Sequence, residues 1–321
     1  MSIFKKFFVV AVILNFINTS AVFAYWIWTP KTGKWVNPKY AVKDNPQEQL
    51  DWAMGFYMAK DYDKAIAEFK KLIKYYPNSS QACDSQYFIG RAYEDLSKFY
   101  EAFLAYQKVI DIYPYTQKVE EVIERQYRIG ELYFVGRREK VLGISFASSP
   151  GRALEIFQKV VENAPYGKYA AASQYKTGII LRKLGRFDEA KQAFLKLAKN
   201  YPDSVFAKEA KYQIGLSGYK TAPKTDYSQE ETDASLNEID AFIKENPQSP
   251  LQEDARKILV DLRDKKAESL YKTAQFYERQ KYFGSATIYY EDIINNYSDT
   301  TWAAKSLERI SIIKQGKPKK K

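Results

Sequence analysis

Along most of the chain, apolar positions return at helical spacing, and the pattern itself repeats. The segment "YDKAIAEFKKLIKYYPNS" (62–79) recurs as "FYEAFLAYQKVIDIYPYT" (99–116), "PGRALEIFQKVVENAPYG" (150–167), "FDEAKQAFLKLAKNYPDS" (187–204) and "FGSATIYYEDIINNYSDT" (283–300), with a degenerate copy "TDASLNEIDAFIKENPQS" (232–249). Each copy sets a small residue four positions before a large apolar one: Ala65/Phe69, Ala102/Tyr106, Ala153/Phe157, Ala190/Phe194, Ser235/Ile239 and Ala286/Tyr290. Positions i and i+4 share one face of a helix, so each pair marks a buried stripe. Proline follows at Pro77, Pro114, Pro165, Pro202 and Pro247, with Ser298 in the last copy. It cannot continue a helix, so each copy carries its own stop.

A second helical pattern precedes each copy: "YFIGRAY" (87–93), "YRIGELY" (127–133), "YKTGIIL" (175–181), "YQIGLSG" (212–218) and "YKTAQFY" (271–277). The centre of this helix is small in all six cases: Ala53, Gly90, Gly130, Gly178, Gly215 and Ala274. Glycine inside a helix costs about 1 kcal/mol relative to alanine, so its recurrence points to close helix–helix approach. The unit is a helical hairpin, and the pattern predicts six of them in an all-α chain.

These hairpins resemble the tetratricopeptide repeat over roughly residues 47–312. The resemblance implies an α-solenoid superhelix whose extended concave face binds partners. Here the repeat markers lie 37 to 51 residues apart, against about 34 in the family. The excess is expected in loops, notably "VGRREKVLGISFASS" (135–149) and "TAPKTDYSQEE" (221–231).

A helical pattern unbroken from about Leu251 to Gln280 runs into the last repeat, and "LVDLRDKKAESLYKTAQFYERQKYFGSATIYYEDIINNYSDTTWAAKSLERI" (259–310) resembles the C-terminal region of the BamD family. Those proteins are tetratricopeptide lipoproteins of the outer-membrane β-barrel assembly machine. The resemblance implies a non-enzymatic scaffold that binds the barrel-forming subunit through its C-terminal repeats and unfolded outer-membrane protein segments through its N-terminal ones. It departs from the family at the anchor. A lipid-bearing cysteine is expected directly after the signal sequence, where this chain has Tyr25; its only cysteine, Cys83, falls within a repeat.

The N-terminus reads as an export signal. Lys5 and Lys6, the apolar run Phe7–Ile17 and the small or apolar Val22 and Ala24 form its three regions, with cleavage expected after Ala24. An uncleaved anchor is the alternative. The expected organisation is a signal peptide (1–24), a Trp-rich segment (25–46), the repeat domain (47–312) and a basic tail (313–321). The expected location is the periplasm, peripheral to the outer membrane.

A formal charge of +11 favours anionic partners. Export argues against nucleic acid. A single cysteine allows no intramolecular disulfide, so packing must hold the fold. The chain has no histidine, which removes the commonest general base and metal ligand. It also has no phosphate loop, nucleophile elbow or metal-spaced cluster. No cofactor, metal or small-molecule substrate is expected.

Three candidate surfaces remain. Tyr87, Tyr127, Tyr175, Tyr212 and Tyr271 stand three residues before the small residue of their helices, a position that in tetratricopeptide proteins points to the concave groove. Such a column would stack on peptide side chains, or else pack between hairpins. The carboxylate clamp of some repeat cochaperones is missing, since Leu50, Met54, Tyr87 and Arg91 occupy the corresponding positions. Arg263, Lys265 and Lys266 form either an assembly-partner surface or a solvated helix face. Trp26, Trp28 and Trp35 suggest a small hairpin. It would either cap the first repeat near Trp52 or serve as a foot on a membrane or partner, as indoles favour membrane–water boundaries.

Two other function classes compete. One is a different periplasmic tetratricopeptide adaptor, coordinating envelope constriction with peptidoglycan synthesis. The other is an α/α-toroid polysaccharide enzyme, which would need a catalytic cluster in a closed ring.

Overall fold

The computed structural model describes residues 26–29, 33–37, 41–136, 139–141, 144–146, 150–221 and 229–316. Among them helices follow one another in pairs: α1 (Pro46–Met58) and α2 (Tyr62–Tyr75), α3 (Ser80–Asp95) and α4 (Phe99–Ile112), α5 (Val119–Phe134) and α6 (Pro150–Asn163), α7 (Ala170–Lys183) and α8 (Phe187–Asn200), α9 (Val205–Thr221) and α10 (Gln229–Glu245), α11 (Gln252–Arg279) and α12 (Phe283–Asn296), with α13 (Thr301–Gly316) last. This is the all-α tetratricopeptide architecture the sequence predicts. The chain divides into two compact units, Met1–Ser97 and Lys98–Lys321, the second carrying α4 to α13.

Each second helix ends two residues before its stop signal. Tyr75, Ile112, Asn163, Asn200, Glu245 and Asn296 are the last residues, ahead of Pro77, Pro114, Pro165, Pro202, Pro247 and Ser298. The turn from α1 to α2 has its own device. Lys60 takes a left-handed conformation (φ 62°), the Asp61 amide donates to the Phe56 carbonyl at 2.9 Å, and the Lys60 amide to Tyr57 at 2.9 Å. That reciprocal pair is a Schellman closure. It recurs between α11 and α12 at Lys281 (φ 63°), and between α7 and α8 at Gly185 (φ 75°). At the other end of α1, the Asn45 side chain accepts from the Glu48 amide at 2.9 Å while Pro46 opens the helix.

The small and large marker residues of every second helix are buried. The central glycines of three first helices, Gly130, Gly178 and Gly215, lie close against the large ones. A Cβ on Gly178 would lie 2.6 Å from the Phe194 ring, and on Gly215 2.6 Å from Ile239. Helix α11 runs 28 residues without a break, joining the fifth pair to the sixth as the pattern implies.

Two expectations change. The stretch 135–149 contains a short antiparallel pairing, β3 (Glu139–Val141) with β4 (Ile144–Phe146), where a plain loop was expected. Helix α13 continues to Gly316, taking in residues assigned to the basic tail. The tryptophan segment does form a hairpin, β1 (Ile27–Thr29) with β2 (Lys34–Val36). The expected signal peptide, residues 222–228 and the rest of the tail lie outside the described residues.

Candidate protein-binding surface

The tyrosine column lies in the seams of the repeat. In α5, Tyr127 packs edge-on against Phe157 of α6 (5.7 Å) and stacks on Tyr169, just before α7 (4.6 Å). Tyr175 of α7 repeats the arrangement with Phe194 (5.8 Å) and Phe206 (5.1 Å), and Tyr271 of α11 with Tyr290 (5.4 Å) and Trp302 (5.2 Å). Each ring thus joins its own second helix to the next hairpin. Tyr212 leans on Phe242 (5.3 Å), and the Tyr87 hydroxyl accepts from Arg91 at 3.1 Å.

Tyr87, Tyr212 and Tyr271 are buried, so their faces are not open to a groove; Tyr127 and Tyr175 are half-buried. The open-column expectation is corrected accordingly. A ring that fills the notch between three helices gains more from burial than from exposure, at about 25 cal/mol per Å².

The hydroxyl edges connect to carboxylates on first helices. Tyr175 donates to Glu209 of α9 at 2.6 Å, and Lys176 of α7 pairs with Glu131 of α5 at 2.9 Å. In the first unit Tyr57 donates to Asp95 at 2.7 Å. Burial, then this bond, pushes the Tyr57 phenol up to about 12. Tyr127 reaches about 12 through burial and the neighbouring Glu131. Burial and the bond to Glu209 raise Tyr175 as well. These phenols are donors at any neutral pH, arranged with carboxylates and ammonium groups along neighbouring first helices.

Glutamine is the feature sequence reasoning missed. Gln49, Gln86, Gln126 and Gln174 are all buried, four residues before the small residue of their helices. Gln49 donates to the Glu68 carbonyl (3.2 Å) and carboxylate (2.8 Å), and Gln174 to the Ala193 carbonyl (3.0 Å). Gln126 donates to Gln107 at 2.9 Å, and Asn163 to the same oxygen at 2.8 Å. A buried amide with its bonds made fixes helix register. Its recurrence at one repeat position was the available signal.

The basic cluster on α11 is engaged within the chain. Arg263 grips Asp299 (2.9 Å) and donates to the Asn296 carbonyl (2.8 Å). Lys266 is buried against Asp233 at 2.8 Å, so it offers no partner surface, contrary to expectation. Lys265 pairs with Asp261 at 3.1 Å and lies 4.2 Å from the Tyr219 ring. Elsewhere on the last three helices, large apolar side chains are open: Phe276, Ile288 and Leu307 are each more than half exposed.

In the N-terminal hairpin, Trp28 sits directly across from Trp35, their rings edge-to-face at 6.0 Å. Trp26, Trp28 and Trp35 are 61%, 49% and 63% exposed. Over Trp52 of α1 it is the Lys43 ammonium that sits, 4.1 Å from the ring. Among the described residues no group of acidic or cysteine side chains could hold a metal ion, and no helix is long and apolar enough to cross a membrane.

Comparison with known proteins assigns different models to different stretches of the chain. A family model named YfiO, outer membrane lipoprotein, matches residues 146–317, more than half of the chain and all of α6 to α13. Tetratricopeptide models match residues 49–79 and 84–116. No curated protein matches significantly. Among solved structures, YrrB, described as a tetratricopeptide protein with an unusual peptide-binding site, is 18% identical over 66% of this chain and 92% of its own, with a TM-score of 0.34. MamA is 18% identical over 63% and 92%, with a TM-score of 0.32. A tetratricopeptide repeat protein from Parabacteroides merdae is 13% identical over 84% and 98%, with a TM-score of 0.31. At these scores the structural likenesses carry no functional weight.

Proposed function

The chain belongs to the outer membrane lipoprotein family YfiO, and from that premise we propose that it is a non-enzymatic periplasmic scaffold in the assembly of β-barrel proteins into the outer membrane. The single observation that carries this reading is the family match over residues 146–317, which takes in the C-terminal helices resembling the BamD family. The barrel-assembly subunit is the proposed partner of those helices. With Lys266 buried, the side chains proposed to meet that subunit are the exposed apolar Phe276, Ile288 and Leu307. Exposed aromatic and aliphatic side chains of this kind are what the core of a protein interface buries.

Extended, unfolded outer-membrane protein segments are the second proposed ligand. The half-buried phenols Tyr127 and Tyr175, with Glu131, Lys176 and Glu209 beside them, offer ring edges and hydrogen-bonding groups suited to a peptide backbone.

Photocrosslinking in intact envelopes tests the first assignment. Tyr271 is buried, so a bulky probe there would disturb the core. A benzophenone amino acid at Phe276 or Ile288 leaves the core untouched. Trapping of the barrel-forming subunit is expected; crosslinks to peptidoglycan synthases alone would favour the envelope-constriction adaptor.

A further inference from the structure

We propose that the β1–β2 hairpin is a bilayer foot, placing Trp26, Trp28 and Trp35 in the headgroup region of an anionic phospholipid leaflet. This goes beyond the scaffold reading and does not rest on it. The register pairs Trp28 with Trp35, and strand alternation puts Trp26 on the same side as Trp28. One face of a minimal two-stranded unit therefore carries three indoles.

An isolated two-stranded hairpin is marginal in water. A hairpin serving as a packing cap would cover its rings. Here all three remain about half to two-thirds exposed, and Trp52 on α1, which a cap should shield, is itself 46% exposed beneath Lys43. Exposed indoles on an extended segment are costly unless something apolar receives them.

Chemistry selects the occupant. Tryptophan combines a large apolar ring with one N–H donor, which suits the boundary between acyl chains and headgroups. Residues 25–46 carry four lysines against one aspartate, a charge complementary to anionic headgroups. A protein interface with an aromatic centre would be expected to present a mixed-charge rim, whereas this segment is one-sided.

The test uses the exported protein with whatever N-terminus the cell leaves, mixed with vesicles of phosphatidylethanolamine and phosphatidylglycerol, and with vesicles of phosphatidylcholine alone. The wild type is expected to float with the anionic vesicles, more weakly as salt rises, and its tryptophan emission to be quenched by brominated acyl chains. The triple variant W26A/W28A/W35A is expected to bind at least tenfold more weakly with an unchanged melting temperature, and K34E to weaken binding only to anionic vesicles. Retention of binding by the triple variant overturns the proposal. So does a fall in its melting temperature, which would make the hairpin a cap. Release of the triple variant from native envelopes, with no binding of the wild type to protein-free vesicles, would also overturn it in favour of a protein receptor.

Discussion

Gly178 and Gly55 are both helical glycines, yet they should respond to the same substitution with opposite sign. At Gly178 a methyl group would meet Phe194 at 2.6 Å, whereas nothing lies within 4 Å of the corresponding point at Gly55. Gly178→Ala is expected to destabilise the fold by about 1–3 kcal/mol through overpacking. Gly55→Ala is expected to stabilise it by about 0.5–1 kcal/mol, since only the helix-propensity term remains. Urea unfolding of the two variants checks both. The small residue was legible in the sequence as a repeat; which glycines have a neighbour was not, because that depends on how closely a second helix approaches. The tyrosine column shows the same limit. Spacing identified the position, but Phe206 and Trp302, which cover two of the rings, lie 31 residues further along the chain and leave no local trace. Tyr57 and Tyr127 carry a pH signature. Their folded values near 12 lie above the ordinary 10, so their contribution is complete below pH 10 and fades as pH rises toward 12. Tyr127→Phe should flatten that alkaline loss, and absorbance at 295 nm should show one fewer late-titrating phenol.

Elements in this chain are set by their ends. Prolines follow the ends of five second helices and Ser298 the sixth, and left-handed residues turn the chain between first and second helices. Lys281 is a lysine in a conformation that costs an L side chain roughly 1–2 kcal/mol. Lys281→Gly should recover part of that, about 0.5–1 kcal/mol by thermal or urea unfolding. Helix α11 is tied to its neighbours by ion pairs whose partners are remote in sequence. Removing Asp233 would leave the buried Lys266 ammonium unpaired, and Asp233→Ala is expected to cost about 1–3 kcal/mol. The Arg263 guanidinium holds the Asp299 carboxyl below its ordinary value of 3.8. A depressed carboxylate stabilises the fold above that value and loses its contribution as pH falls through the lower folded one. Urea midpoints for wild type and Asp299→Asn should therefore differ at pH 6 and converge toward pH 2. The basic run Arg263–Lys266 looked like an open surface in the sequence because Asp233 and Asp299 lie 30 or more residues away on either side.

At the scale of the whole molecule, the repeat count, its all-α class and its family were legible because six imperfect copies reinforce one another. The partner-facing surface was not, since a repeat pattern reports what every hairpin buries and is silent on what one hairpin exposes. Residues 146–317 match the outer membrane lipoprotein family, and the first two hairpins match general tetratricopeptide models. On the scaffold reading, binding to the assembly machine belongs to the C-terminal pairs. Affinity capture of the full chain from detergent-solubilised envelopes, with a Phe276→Ser/Ile288→Ser/Leu307→Ser variant alongside, is the most direct test. The expected result is recovery of the barrel-forming subunit by the wild type and its loss from the variant with unchanged thermal stability. Recovery of peptidoglycan synthases without any barrel-assembly subunit would contradict a role in β-barrel assembly.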